Sequence, residues 1–276
     1  MSILVIDSGS SKAEWLWSDG QNTESLTTDG INVATKLVHF DQFEGLSDRM
    51  KDSDHVFFYG AGISDSVNAK KAIEILKTMG LKGYIHAESD LLGAARALFG
   101  REEGIACILG TGANSAYYNG EQLKYSRPAL GFIIGDEGSG ANIGKEILRQ
   151  YFYHLMPKEI EESFFEQYQM TKQKLIQILY TSHGGAKYLA SFSLFLHQWR
   201  HHPWVFDVLS QEFSSFIHQK IQPLHKHNPC KVGFVGSIAF FNSDVLTHLL
   251  LKNSIDCSEI LKNPVDRLLD YHLKYT

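Results

Sequence analysis

The stretch ILVIDSGSSKAEWLWSDG, from Ile3 to Gly20, returns in outline as IACILGTGANSAYYNG, from Ile105 to Gly120. Each is an apolar run, a glycine-centred polar turn, a second strand-like run with aromatic residues, and a closing Asp-Gly or Asn-Gly. A repeat of this kind predicts two related units, each opening with a β-hairpin whose turn is built to hold something. Strands are expected at Ile3 to Ile6, Ala13 to Trp17, His55 to Tyr59 and Gly83 to His86. Helical periodicity runs from Ala34 to Met50, Val67 to Met79 and Leu91 to Phe99. The expected class is α/β, with each unit a mixed sheet covered by helices.

The second unit continues differently. Residues Glu146 to Lys220 read as long, aromatic helices with Pro203 between two of them, a surface for packing or for an oligomer. KVGFVGSIAFFN, from Lys231 to Asn242, reads as an apolar strand ending at Gly236-Ser237, followed by a helix from Asp244 to Lys252. The segment from Pro264 to Tyr275 reads as an amphipathic helix. Trp15 and Trp17 alternate as core residues of a strand would.

Composition narrows the partner. The chain has 276 residues, 43% hydrophobic, enough for two cores. Lys and Arg number 26 against 31 Asp and Glu, with no block of like charge, so nucleic acid and anionic membrane are not expected and a small solute is. The opening MSILVID is not a signal sequence and no spanning helix is legible, so a cytoplasmic location is expected. Cys107, Cys230 and Cys257 fall in no metal-ligand spacing and read as free thiols.

A strand running into a Gly/Ser/Thr turn can aim several backbone N–H groups at one point, which suits phosphate oxygens. Neither a P-loop nor a dinucleotide fingerprint is present, and these turns lead into strands. Asp7, before the first turn, could hold a hydrated Mg2+ or simply cap the turn. Together with Gly236-Ser237 and GDEGSG, from Gly135 to Gly140, the two hairpins resemble the sugar kinase, heat-shock chaperone and actin superfamily. Within it the chain resembles the N-acetylglucosamine kinase branch, with the related BadF/BadG/BcrA/BcrD-type ATPases.

The resemblance implies two ribonuclease-H-like (actin-like ATPase) domains around a cleft, residues 1–104 and 105–276, with ATP and Mg2+ in the cleft beside an amino sugar. It implies a first phosphate loop at Asp7, Gly9, Ser10, Ser11 and Lys12, and a second at Gly110, Thr111 and Gly112. Gly236 and Ser237 would lie against the adenosine. The family usually opens D-G-G-G-T-K, whereas this chain reads DSGSSK, with Ser11 supplying the hydroxyl. The resemblance also implies a homodimer through the second domain.

Phosphoryl transfer to an alcohol requires one carboxylate to take the proton. In HAESDLLG, Asp90 stands in the D-x-x-G context where the family carries its general base, although an Asp there also reads as a helix N-cap. Glu88 is a weaker candidate. Asn32, Asn114 and Asp136 match positions that contact sugar hydroxyls, while Asn32 also reads as a turn residue and Asp136 as the cap of a helix starting near Ser139. Glu137 could support Asp136 or be a helix-entry charge. The expected activity is ATP-dependent phosphorylation of an amino sugar, N-acetylglucosamine first, at its 6-position. Two other readings compete: an ATPase activator whose dimer is bridged by a metal cluster, and a catalytically weak sugar or nucleotide sensor.

Overall fold

The computed structural model describes residues 1–34, 43, 45–181 and 185–276. The helix expected from Ala34 to Met50 falls in greater part outside them; the short α1 (Asp48–Lys51) is a separate helix that starts at Ser47, whose backbone is extended and whose side chain accepts from Met50 N.

Two five-stranded sheets carry the same connectivity. In the first, β1 (Ile3–Ser8), β2 (Lys12–Ser18) and β3 (Thr23–Asp29) form an antiparallel meander. Then β4 (His55–Gly60) and β5 (Tyr84–Ser89) add in parallel, giving the order β3-β2-β1-β4-β5. The second repeats it with the meander β6 (Glu103–Leu109), β7 (Ala113–Asn119), β8 (Leu123–Ser126) and the parallel strands β9 (Val232–Val235) and β10 (Cys257–Leu261). The hairpin repeat is therefore the visible part of a repeat of whole sheets.

In the first unit, α2 (Ser66–Thr78) buries Ala72 and Leu76 against Leu4, Ile6, Trp15 and Phe58 on one sheet face. Both Trp15 and Trp17 are buried there. Asp65 starts this helix, its carboxylate accepting from the N–H groups of Val67 and Asn68. The connecting helix α3 (Asp90–Phe99) faces two ways. Its Leu91, Leu92 and Ala95 pack on Ala106, Ala116 and Tyr118 of the second sheet, while Gly93 lies flat on the Tyr59 ring of the first. A Cβ at Gly93 would stand 2.8 Å from that ring, which gives the D-x-x-G spacing a steric reason.

The second unit runs through α4 (Gly131–Ile134), α5 (Gly140–Phe152), α6 (Lys158–Tyr168), α7 (Lys172–Leu179) and α8 (Ala186–Ser191). A 3-10 segment, Phe192–Trp199, leads to α9 (Pro203–Phe216), a π turn and α10 (Gln222–His227). Pro203 sits at the start of α9, where a missing N–H costs nothing, and His202 caps it by accepting from Trp204 N. Phe164, Phe192, Phe195, Phe213 and Phe216 fill the core beneath β6 and β9. After β9 comes a short helix not expected from the sequence, α11 (Ser237–Phe241), then α12 (Ser243–Lys252).

The last helix, α13 (Val265–Tyr275), crosses back. Val265, Leu268 and Leu269 pack on Ile3, Val5, Phe57 and Tyr59 of the first sheet. Burial of each such side chain contributes about 1.5–3 kcal/mol, enough to hold the segment there.

Candidate active site

The first loop is closed by backbone alone: Gly9 N donates to Lys12 O at 3.0 Å. Asp7 is thus free of the turn-capping role, and it accepts no hydrogen bond among the described residues. Beneath the loop, Ser8 Oγ accepts from Ile31 N at 2.7 Å and Ser8 O accepts from Ala61 N at 2.8 Å. Gly30 runs so close that a Cβ would collide with the Gly9 carbonyl and stand 2.8 Å from Lys12 N. Asn32 Nδ2 donates to Ser10 Oγ at 3.1 Å while its Oδ1 accepts from Ala34 N, so this side chain is tied to the loop tip. The Lys12 ammonium pairs with Glu14.

In the second loop, Gly110 N donates to Gly112 O at 3.0 Å. The start of α5 is pinned onto it, with Gly140 N donating to Gly110 O and Ala141 N to Thr111 O. Ser139 caps that helix through Asn142 N. Asp136 is therefore not the cap: it is buried, holds the left-handed φ of 59°, and its carboxylate accepts from Ala113 N beside Gly112. Burial pushes that carboxyl above its usual range. Glu137 pairs with buried Lys220 at 3.8 Å, and Lys220 also donates to Pro128 O. Asn114 spends its Oδ1 on Ser115 N. Gly236, with φ of 123°, abuts this loop so tightly that a Cβ would strike the Leu109 carbonyl. Ser237, next to it, is exposed at the start of α11.

The two loops meet. Ser11 Oγ and Thr111 Oγ1 lie 2.9 Å apart in a hydroxyl–hydroxyl bond. A second tie is an exposed pair, Lys187 with Asp29, at 3.6 Å.

Two carboxylates stand at the strand ends beside this meeting point. Asp90 is not the helix cap, because Ser89 takes that role through Leu92 N. Asp90 Oδ1 instead accepts from Leu91 N at 2.8 Å. Loss of hydration pushes its carboxyl up to about 6, against the pull of the backbone N–H groups. Asp7 is pushed further, to about 8, by burial first, then by the charges of Asp90 and Glu14, with Lys12 opposing. Asp7 is in register with Tyr59, and Tyr59 with Glu88, so β1 and β5 stand two strand spacings apart, roughly 10 Å. Glu88 lines a separate cavity with Arg96 instead.

A half-buried carboxyl beside a second acid with no hydrogen-bond donor is what a divalent cation would relieve, so Asp7 fits Mg2+ as a ligand. Among the described residues no cluster of three or more His, Cys, Asp or Glu stands ready for a metal. The three cysteines are free. Among the described residues no helix is long and apolar enough to cross a membrane.

Ser8, Gly30 and Gly93 were missed as site-building positions. Asp29-Gly30 and D-x-x-G carried the signal for the two glycines; nothing local marked Ser8.

No family model matches the chain, and no curated protein matches it. Solved structures do. A candidate N-acetylglucosamine kinase from Porphyromonas gingivalis is 31% identical over 99% of both chains, with a TM-score of 0.92. A candidate N-acetylglucosamine kinase from Chromobacterium violaceum shares the fold at TM-score 0.71 and 14% identity, over 98% of both chains. A ROK hexokinase from Thermus thermophilus does so at 0.54 and 12%, over 100% of both. From the first of these likenesses, the repeated sheets and the facing loops, the chain belongs to the N-acetylglucosamine kinase-like family of ATP-dependent sugar kinases, within the superfamily that includes actin.

Proposed function

We propose that the protein transfers the γ-phosphoryl group of ATP to an amino sugar, N-acetylglucosamine in first place, at the 6-hydroxyl. The observation that carries this is the meeting of the two loops through Ser11 and Thr111 beside the strand ends that bear Asp7 and Asp90.

In this reading the backbone N–H groups and hydroxyls of Gly9 to Ser11 and Gly110 to Gly112 cradle the phosphates, and Gly236-Ser237 borders the adenosine. Asn32, Asn114 and Asp136 orient the sugar through its hydroxyls. Asp90 accepts the 6-hydroxyl proton as the oxygen bonds to the γ-phosphorus. The bond from that phosphorus to the β–γ bridging oxygen breaks, and ADP leaves with the electron pair. Asp7 would hold a hydrated Mg2+, which when bound would supply charge neutralisation to the phosphates. Closure of the units, residues 1–104 and 105–276, shields the γ-phosphate from water. The protein works as a homodimer through its second unit.

An activator whose dimer is bridged by a metal cluster is disfavoured by Cys107, which is fully buried within β6. The test is phosphorus-31 NMR of the product from MgATP and N-acetylglucosamine: a 6-phosphate resonance is expected, and its absence while other sugars are phosphorylated would overturn the substrate assignment.

A further inference from the structure

The segment that follows β3 lies across the first loop and is fastened to it at three points. Ser8 Oγ accepts from Ile31 N at 2.7 Å and donates to Ile31 O at 3.2 Å, so one buried hydroxyl holds both polar groups of that residue's backbone. Gly30 packs so closely that a Cβ would stand 2.8 Å from the Ser10 carbonyl carbon. Asn32 Nδ2 donates to Ser10 Oγ at 3.1 Å. Ser8 and Ser10 stand where the D-G-G-G-T-K opening has glycine, and a glycine could make neither bond.

The Asn32 amide has one orientation. Its Oδ1 accepts from Ala34 N at 3.1 Å, and that partner can only donate, so Nδ2 is the atom turned to Ser10. Gly62, with φ of 84°, presses from the other side, where a Cβ would collide with Asn32 Oδ1. Among the described residues these bonds use one N–H and one lone pair of the amide. One of each remains, and a sugar's hydroxyls need both. Ser10 Oγ serves as an acceptor, and among the described residues its own proton is given to nothing. Ser10 is exposed at the tip of the turn, so that proton is available to a phosphate oxygen.

Hydrogen bonds in such a chain strengthen one another. A hydroxyl that gives its proton to an anionic phosphate becomes a better acceptor for Asn32. An amide that donates more strongly through Nδ2 carries more negative charge on Oδ1, to accept a sugar hydroxyl. We propose that Ser10 couples the two substrate sites: from phosphate through Ser10 and Asn32 to the sugar, each substrate tightens the binding of the other. This rests on the sugar contact of Asn32 and the phosphate contact of the first loop proposed above. The coupling is reciprocal, so the factor by which the sugar improves nucleotide affinity equals the factor by which the nucleotide improves sugar affinity.

The test is calorimetry on the whole protein. Mg-AMPPNP is titrated with and without saturating N-acetylglucosamine, and the sugar with and without saturating Mg-AMPPNP. In the wild type each ligand is expected to tighten the other by about fivefold or more. Ser10→Ala should reduce this factor by about threefold or more, the scale of one hydrogen bond, and Ser10→Thr, which keeps the hydroxyl, should retain it. Each variant's affinity for one ligand alone is its own reference, so a lost phosphate contact cancels from the factor. Absence of coupling in the wild type, an equal factor in Ser10→Ala, or equal loss in both variants would overturn the proposal and leave the kinase reading in place. Failure of the wild type to bind the sugar at any nucleotide concentration would instead overturn the role of Asn32 in that reading, and the proposal with it.

Discussion

Ser11 and Thr111 stand in different sheets, yet their hydroxyls share a 2.9 Å hydrogen bond at the tips of the two glycine turns. The contact brings together the two halves of the proposed phosphate cradle. A neutral hydrogen bond contributes about 0.5–1.5 kcal/mol net, so neither residue is needed for folding. Ser11→Ala and Thr111→Val should each lower stability by about that amount and raise KM for ATP, with the double variant less than additive. Urea denaturation and steady-state kinetics on the three variants check this.

Asp90, freed from capping by Ser89, is the proposed base, so Asp90→Asn should lower kcat by about 10²–10⁴-fold. Mg-AMPPNP should bind the variant as it binds the wild type. A base acts when deprotonated, and this carboxyl titrates at about 6, so kcat/KM should rise as pH climbs through about 6 and then level off. Turnover near wild type in Asp90→Asn would remove it from the role of base.

Asp7 links pH to stability. Its carboxyl binds a proton more tightly in the folded chain, at about 8 against an ordinary 3.8. Its contribution is fully present below the unfolded value and is lost as pH rises through the folded one. Metal-free protein should therefore lose stability between about pH 4 and 8. Asp7→Asn should be more stable than wild type at the upper end. Mg2+ should raise the melting temperature of the wild type there and leave that of Asp7→Asn unmoved, as read by thermal denaturation.

Gly30 presses on the first loop from below. Gly30→Ala forces a methyl group into the Gly9 carbonyl, and backbone cannot yield as a flexible side chain does. The expected result is a loss of about 1–3 kcal/mol together with weaker ATP binding, whereas Gly20→Ala, at a hairpin with open space around it, should leave ATP binding intact.

Much of this was legible because it is local. The apolar run of β1 and β6, the glycine turns after them and the helical periodicity of α2 and α3 each lie within a short window. Three strands were not legible. β3 reads TESLTTD, a polar sheet edge whose residues alternate exposed and half-buried with none fully buried, and β8 and β10 are short and partly exposed. The roles of Asp90 and Asp136 were ambiguous in sequence because an Asp before a helix reads as a cap; Ser89 and Ser139 take those caps in the fold. The Ser11–Thr111 contact and the return of α13 to the first sheet arise only from tertiary packing, which no window displays.

The central claim, sugar-dependent phosphoryl transfer, is tested most directly by ADP release from MgATP with N-acetylglucosamine, glucosamine, N-acetylmannosamine, glucose or no sugar. The account predicts release that depends on an amino sugar and is greatest with N-acetylglucosamine. Equal release with no sugar present, or none with any sugar, would contradict it.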